Sequence, residues 1–225
     1  MKRSEINAII RESIDFFRRE NFHLPPFAWI SPEEWKDKKA EHAEVVRCGL
    51  GWDVTDFGLG KFFEVGLLLV TLRNGSVDGA REGGKNYCEK IIHLRKNQTC
   101  PMHYHKSKTE DIINRSGATL CFKLAMADNN ELSSEPFYVS RDGRKARCLP
   151  GAALELSPGE SLTLPSYLYH SFWAKGGDVL VGEVSRVNDD VSDNFFFEPV
   201  PRFSEIEEDE SPLYLLVNEL LQHAI

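Results

Sequence analysis

Cys100-Pro101-Met102-His103-Tyr104-His105-Lys106-Ser107-Lys108-Thr109-Glu110 carries the reading of this chain. Side chains on a strand alternate between faces, so His103 and His105 point the same way and set two imidazoles side by side. Glu110 is far enough along for a turn to bring its carboxylate back from the neighbouring strand. Gly117 follows where the next hairpin turn is expected, at Ser116-Gly117. A second piece lies in Gly159-Glu160-Ser161-Leu162-Thr163-Leu164-Pro165-Ser166-Tyr167-Leu168-Tyr169-His170. Gly159 makes a turn, a strand follows, Pro165 ends it, and His170 falls on the next strand. The two pieces together offer His103, His105, His170 and Glu110 to one interior face. Such a set of imidazoles and a carboxylate, with room for water, suits Mn, Fe, Co, Ni or Zn and does not select among them. The alternative is a metal-free barrel whose histidines find protein partners. His23, His93 and His223 have no comparable neighbours and are expected to be structural or exposed.

The surroundings of these motifs read as β structure. Phe62 to Leu72 is a strand-type run ended by the turn signal Asn74-Gly75. Further short β-like runs are expected over 87–95, 110–115, 118–126, 136–140, 152–156, 161–164, 168–174 and 179–187. Turn residues separate them, at Ser116-Gly117, Asp128-Asn129-Asn130, Asp142-Gly143, Pro158-Gly159 and Lys175-Gly176-Gly177. Many short strands without alternating helices indicate an antiparallel sandwich or barrel. Helices are expected only at the ends. Residues 4–20 place Ile6, Ile9, Ile10, Phe16 and Phe17 near a 3.6-residue period, with Ser4 as N-cap. Ser31-Pro32-Glu33-Glu34 is a capping box with Pro at the first helical position, opening a helix towards Glu41. Leu213 to His223 returns to a helical pattern. The organisation expected is one domain: a helical extension over 1–45, a β-barrel over 50–200 and a C-terminal segment over 201–225.

Composition excludes several classes of partner. The chain has 225 residues, 41% hydrophobic and 28% charged, and a net charge of −8. An acidic chain repels a phosphate backbone, so nucleic acid is not an expected partner. No apolar run approaches the roughly 20 residues of a membrane span, and the charged N-terminus lacks the apolar core of a secretory signal. Cys48, Cys88, Cys100, Cys121 and Cys148 are widely spaced with no C-x-x-C, which points to reduced thiols in a cytoplasmic protein and away from zinc held by paired cysteines.

The pattern H-x-H-x4-E-x6-G (His103, His105, Glu110, Gly117) resembles the first cupin motif, and G-x5-P-x4-H (Gly159, Pro165, His170) the second. This implies a small jelly-roll barrel holding a divalent metal by three His and one Glu. The sequence departs from the motifs at Asn97 and Tyr167, where Gly is usual, and at Ala174, where Asn is usual. None of these is a ligand.

A closer likeness runs through nearly the whole chain. The segments Gly51 to Gly58, Lys108 to Arg115, Gly182 to Ser185, Val187 to Asp190 and Phe203 to Asp209 are similar to the D-lyxose isomerase family. The resemblance implies a manganese-preferring aldose–ketose isomerase that converts D-lyxose to D-xylulose, with D-mannose to D-fructose as a side activity. Such a reaction moves hydrogen between C1 and C2, with a metal on O1 and O2, a carboxylate base and a cation nearby. Lys108, Glu110 and Glu205 are the catalytic candidates, Glu205 because Phe203 and Ile206 could pin it over the barrel mouth. Lys90, Glu183, Asp193 and Phe172 are the substrate-binding candidates. Lys90 and Glu183 each stand in an otherwise apolar strand, which calls for a partner or a polar cavity. Asp189 and Asp190 share the acidic stretch with Asp193. Exposed sheet edges suggest a homodimer. The competing readings are a cupin phosphosugar isomerase, a cupin dioxygenase, and a non-catalytic sugar- or metal-binding cupin.

Overall fold

The computed structural model describes residues 1–77, 84–129 and 131–222, so His223 lies outside the described residues. The chain runs α1 (Arg3–Arg19), a 3-10 turn (Pro26–Trp29), α2 (Pro32–Lys38) and α3 (Ala43–Arg47) into β1 (Gly51–Thr55), β2 (Leu67–Arg73) and β3 (Tyr87–Leu94). It continues through β4 (Thr99–Tyr104), β5 (Glu110–Asp128), β6 (Glu131–Leu132), β7 (Phe137–Arg141) and β8 (Arg144–Cys148). The last elements are β9 (Ala153–Leu156), β10 (Ser161–Leu164), β11 (Leu168–Arg186), β12 (Phe195–Phe196) and α4 (Val217–Gln222). The fold is mainly β, with a helix near each end. The named strands pair antiparallel, in the order β1-β2-β3-β11-β5-β10-β7-β8, with β4 on β11, β12 on β4, and β6 and β9 on β5.

Two long strands make the barrel. Turns are expected at Ser116-Gly117 and Lys175-Gly176-Gly177, but β5 and β11 each run 19 residues straight through them. The first half of β5 and the second half of β11 pair with each other and with β10 and β3. Their other halves pair with each other and with β9 and β4, forming a second layer. The bend is a bulge: the register jumps between Lys175↔Thr119 and Val179↔Gly117. Gly117 is required there by close approach, because a Cβ would sit 2.3 Å from the Asp178 carbonyl oxygen and φ is +95°. Leu69, Ile92, Leu120, Phe122, Leu124, Leu162, Phe172 and Val181 fill the space between the layers.

The apolar run of β2 is explained by burial on both faces. Leu67 and Leu69 join the core between the layers, while Leu68, Val70 and Leu72 pack under Ile6, Ile10, Phe17 and Trp52. Each such Leu removed from water contributes roughly 1.5–3 kcal/mol. The strand starts later than its composition suggests: Phe62 and Phe63 stack edge-to-face in a turn instead. β2 ends at Arg73, just before Asn74-Gly75, and the buried Asn74 amide donates to the Cys48 and Asn188 carbonyls. Lys2, not Ser4, takes the N-cap position of α1 and makes no side-chain capping bond, while Ser4 lies in the first turn and donates from its N–H and hydroxyl to the Asp209 carboxylate. The Ser31 capping box forms as expected, although α2 stops at Lys38. Residues 213–216 are not yet helical: Leu216 bridges Trp52 of β1 before α4 begins.

All five cysteines are buried and none forms a disulfide, and burial pushes the Cys88 thiol up to about 12. No helix among the described residues is long and apolar enough to cross a membrane.

Candidate active site

His103 on β4 sits directly opposite His170 on β11, and His105 follows just beyond the end of β4. One ring nitrogen from each of the three lies within 4.8 Å of the others. Each Nδ1–H donates to a backbone carbonyl: His103 to Pro101 at 2.7 Å, His105 to Asp193 at 2.8 Å and His170 to Leu168 at 3.0 Å. A carbonyl can only accept, so each Nδ1 carries a proton and each ring turns its Nε2 inward. Burial, then the neighbouring imidazoles, pushes His103 well below its usual range. Burial and the Lys108 charge bring His105 to about 4.

Glu110 opens β5 and completes the cluster, with Oε1 3.1 Å from His170 Nε2 and Oε2 3.5 Å from His105 Nε2. Burial works against its charge, but Lys108, His105 and His170 outweigh it and hold the carboxyl well below the usual range. His170 Nε2 is buried without a hydrogen-bond partner. Three inward imidazole lone pairs, one of them orphaned, beside an ionised carboxylate fit a divalent metal ion.

The same cavity holds a ladder of charges. Lys108 Nζ lies 2.8 Å from both Glu110 and Glu183, so these acids keep it charged despite burial. Lys90 on β3 stands opposite Glu183 on β11, 3.4 Å away, and Asn188 Oδ1 accepts from both Lys90 and Lys108 at 2.7 and 3.2 Å. Asp190 lies 3.9 Å from Lys90 and 3.3 Å from Arg202, which also pairs with Asp53. Burial opposes the Asp190 charge, but Arg202, Lys90 and Lys108 hold its carboxyl well below the usual range. Burial raises Asp53, against the pull of Arg202. Phe57, Leu69, Ile92, Phe172 and Phe196 supply the apolar walls. The space between these atoms is about 430 Å³ including its open mouth.

Residues 1–220 match the family described as D-lyxose isomerase. The chain belongs to that family. D-lyxose/D-mannose isomerase of Escherichia coli O157:H7 is 50% identical over 226 residues, covering 99% of both chains. The protein of the same name from Serratia proteamaculans is 48% identical, with the same coverage. The fold is shared with L-ribose isomerase of Acinetobacter sp. DL28, at 15% identity and a TM-score of 0.60, covering 92% of this chain and 98% of that one. It is also shared with L-ribose isomerase of Cellulomonas parahominis, at 16% identity and a TM-score of 0.56, with the same coverage.

In this member of the D-lyxose isomerase family, His103, His105, Glu110, His170, Lys90, Lys108, Glu183 and Phe172 line one cavity. Two expected site residues do not. Glu205 is exposed at the N-terminus of α1, where its carbonyl accepts from the Met1 amine at 2.7 Å. The neighbouring Ile206 packs towards α1, which draws this stretch away from the barrel mouth. Asp193 is buried, but its carboxylate accepts the backbone N–H groups of Lys106, Ser107 and Lys108 and does not line the cavity. The cavity acid of this stretch is Asp190. Sequence reasoning missed Arg202 altogether: it lies in an irregular segment after Pro201, where no periodicity signals direction.

Proposed function

We propose that this cavity is the active site of a metal-dependent aldose–ketose isomerase converting D-lyxose to D-xylulose and D-mannose to D-fructose. The observation that carries the reading is the Glu110–Lys108–Glu183 bridge beside three inward imidazoles. His103, His105, His170 and Glu110 would hold the ion, Mn²⁺ by preference, with Zn, Co, Fe or Ni able to use the same donors. A bound divalent ion supplies Lewis-acid polarisation of sugar oxygens. The chain's own residues do the rest. Glu183, pinned by Lys108, takes the proton from C2 as the C1–C2 double bond forms, and returns it to C1. Lys108 donates to the sugar oxygen on which charge develops and moves the hydroxyl proton between O2 and O1. Lys90, Asp190 and Arg202 face the remaining hydroxyls, and Phe172 offers an apolar face.

The charge ladder favours a neutral sugar over a phosphosugar. Lys108 faces Glu110 and Glu183, Lys90 faces Glu183 and Asp190, and Arg202 faces Asp53 and Asp190. A phosphate dianion needs uncompensated cations, and each of these cavity cations already has carboxylate partners. Incubating manganese-loaded protein with D-lyxose, D-mannose and D-fructose 6-phosphate tests both points. Ketose from the first two and no aldose phosphate from the third is expected. Manganese-bound protein that converts neither neutral sugar overturns the reading in favour of a binding protein. We also propose that the protein acts in the cytoplasm as a homodimer.

A further inference from the structure

We infer that Asp193 is a positioning residue that clamps the segment from His105 to Glu110, so that an inward imidazole and Lys108 face the cavity together. The segment leaves the end of β4 and must deliver Glu110 into the start of β5 within a few residues. In its tightest part, three successive N–H groups converge on one carboxylate. Asp193 Oδ1 accepts from Lys106 at 2.9 Å and from Ser107 at 2.8 Å, and Oδ2 accepts from Lys108 at 3.0 Å. Converging backbone N–H groups of this kind make an anion-binding concavity, here filled by a side chain of the same chain. The grip is reciprocal, because the Asp193 carbonyl accepts from His105 Nδ1. One residue thus orients the ring at one end of the segment and fixes the backbone of the lysine at the other.

The clamp is itself held. The Asp193 N–H donates to the Asp189 carbonyl at 3.1 Å, and the Asp189 carboxylate accepts from the Val191 and Ser192 N–H groups. Asn188, at the other end of the same strap, takes the tip of Lys108. It exchanges two hydrogen bonds with the buried Asn74: its N–H donates to the Asn74 amide oxygen, and its carbonyl accepts from the Asn74 amide nitrogen. Lys108 is therefore fixed at its backbone by Asp193 and at its ammonium by Asn188. Asp193 touches neither the cavity nor the inward nitrogens, so it acts through His105 and Lys108.

Two substitutions separate this role from a merely structural one. Asp193→Asn keeps Oδ1 for Lys106 and Ser107 but sets an NH₂ group against the Lys108 N–H. It is expected to lower kcat on D-lyxose by about 10–100-fold while Mn²⁺ affinity stays close to wild type. Asp193→Ala releases all three N–H groups and is expected to weaken Mn²⁺ binding by about 10–100-fold when metal-free protein is titrated with MnCl₂ in a calorimeter. If Asp193 only stabilises the loop, both variants melt earlier but show wild-type Mn²⁺ affinity and kcat well below their Tm. That result overturns the inference. If the alanine variant does not fold, the asparagine variant decides. The kcat arm rests on the isomerase reading, and the Mn²⁺ titration does not. Wild-type protein that binds Mn²⁺ yet converts neither sugar overturns the isomerase reading, and the titration then decides the clamp alone.

Discussion

Two of the three inward imidazoles are aimed by their own strands. His103 and His170 each donate Nδ1–H to the carbonyl two residues back, Pro101 and Leu168, while His105 depends on the distant Asp193. The spacing of His103, His105, Glu110 and His170 was therefore legible, because strand alternation and local bonds determine where such residues point. The carboxylates were harder to read. Glu183 stands in an apolar strand and Glu205 opens an acidic run between Phe203 and Ile206, and neither pattern says where the carboxylate points. Only Glu183 faces Lys90 across a strand pair inside the barrel. Glu183→Gln is accordingly expected to lower kcat by about 10²–10⁴ with metal content unchanged, the range for losing a general base. Glu205→Gln, on the surface, is expected to stay within about twofold of wild type. Steady-state kinetics with D-lyxose compares them, and the reverse ranking removes Glu183 from the proposed chemistry. The departures from the cupin motifs also have a residue-scale cause. Asn97 and Tyr167 stand where Gly is usual, and both adopt positive φ, 63° and 62°. Asn tolerates that region; Tyr167 is held there by its N–H bond to the His105 carbonyl and by stacking on Tyr104.

At the scale of elements, apolar periodicity placed β3, β7, β9 and β10 closely, and Asp142-Gly143 and Pro158-Gly159 are turns as expected, but Gly117 and Gly176 lie inside strands. Gly117 and Gly176 permit bending within a strand, and whether a Gly bends or ends a strand depends on what approaches it from the opposite layer. The helix over the sheet depends on a buried polar pin. His93 on β3 stacks on Phe16 of α1 with centroids 4.0 Å apart, shares a hydrogen bond with Ser13, and faces Asp178 at 3.1 Å. Burial, then the Arg95 charge, lowers its pKa from 6.5 to about 4. The folded chain keeps this ring neutral, so below pH 6.5 the unfolded chain takes up a proton that the fold refuses. Stability is expected to fall as pH drops from 6.5 to 4 and to level off below that, by roughly 3 kcal/mol in total. Urea denaturation across this window should show the slope in wild type and a shallower one in His93→Gln. Equal slopes would mean that the ring is not the group responsible.

Over the whole molecule, the first helix meets the stretch from Glu208 to Glu219. Arg3, fully buried at the start of α1, binds Glu208 and Glu219, and Asn7 bonds Glu210 and Ser211. The segment held in this way follows directly from Arg202, which lines the cavity. The cluster of His103, His105, His170 and Glu110 brings three imidazoles and a carboxylate together in a buried space, which a cation stabilises. Chelation with EDTA is expected to lower Tm, and Mn²⁺ at about 100 times its Kd to add about 2.7 kcal/mol of stability. A Tm indifferent to both would count against metal binding at this cluster. The proposed homodimer predicts twice the chain mass by light scattering at micromolar concentration, and a monomer mass removes it.

The sequence by itself determined the mainly β fold, the amphipathic first helix and the identity of the inward histidines, because each rests on a period of two or 3.6 residues or on a bond within a few positions. It also placed Lys90 and Glu183 as polar residues in apolar strands, which burial obliges to find partners. Tertiary structure alone decided that Lys108 bridges Glu110 and Glu183, that Asp190 and Arg202 line the wall, and that Asp193 turns away to hold a backbone. Those residues sit on the 105–110 turn, the 187–194 strap and the segment around 202. An irregular backbone has no repeat, so the direction of each side chain is settled only by the groups that meet it when the two layers close.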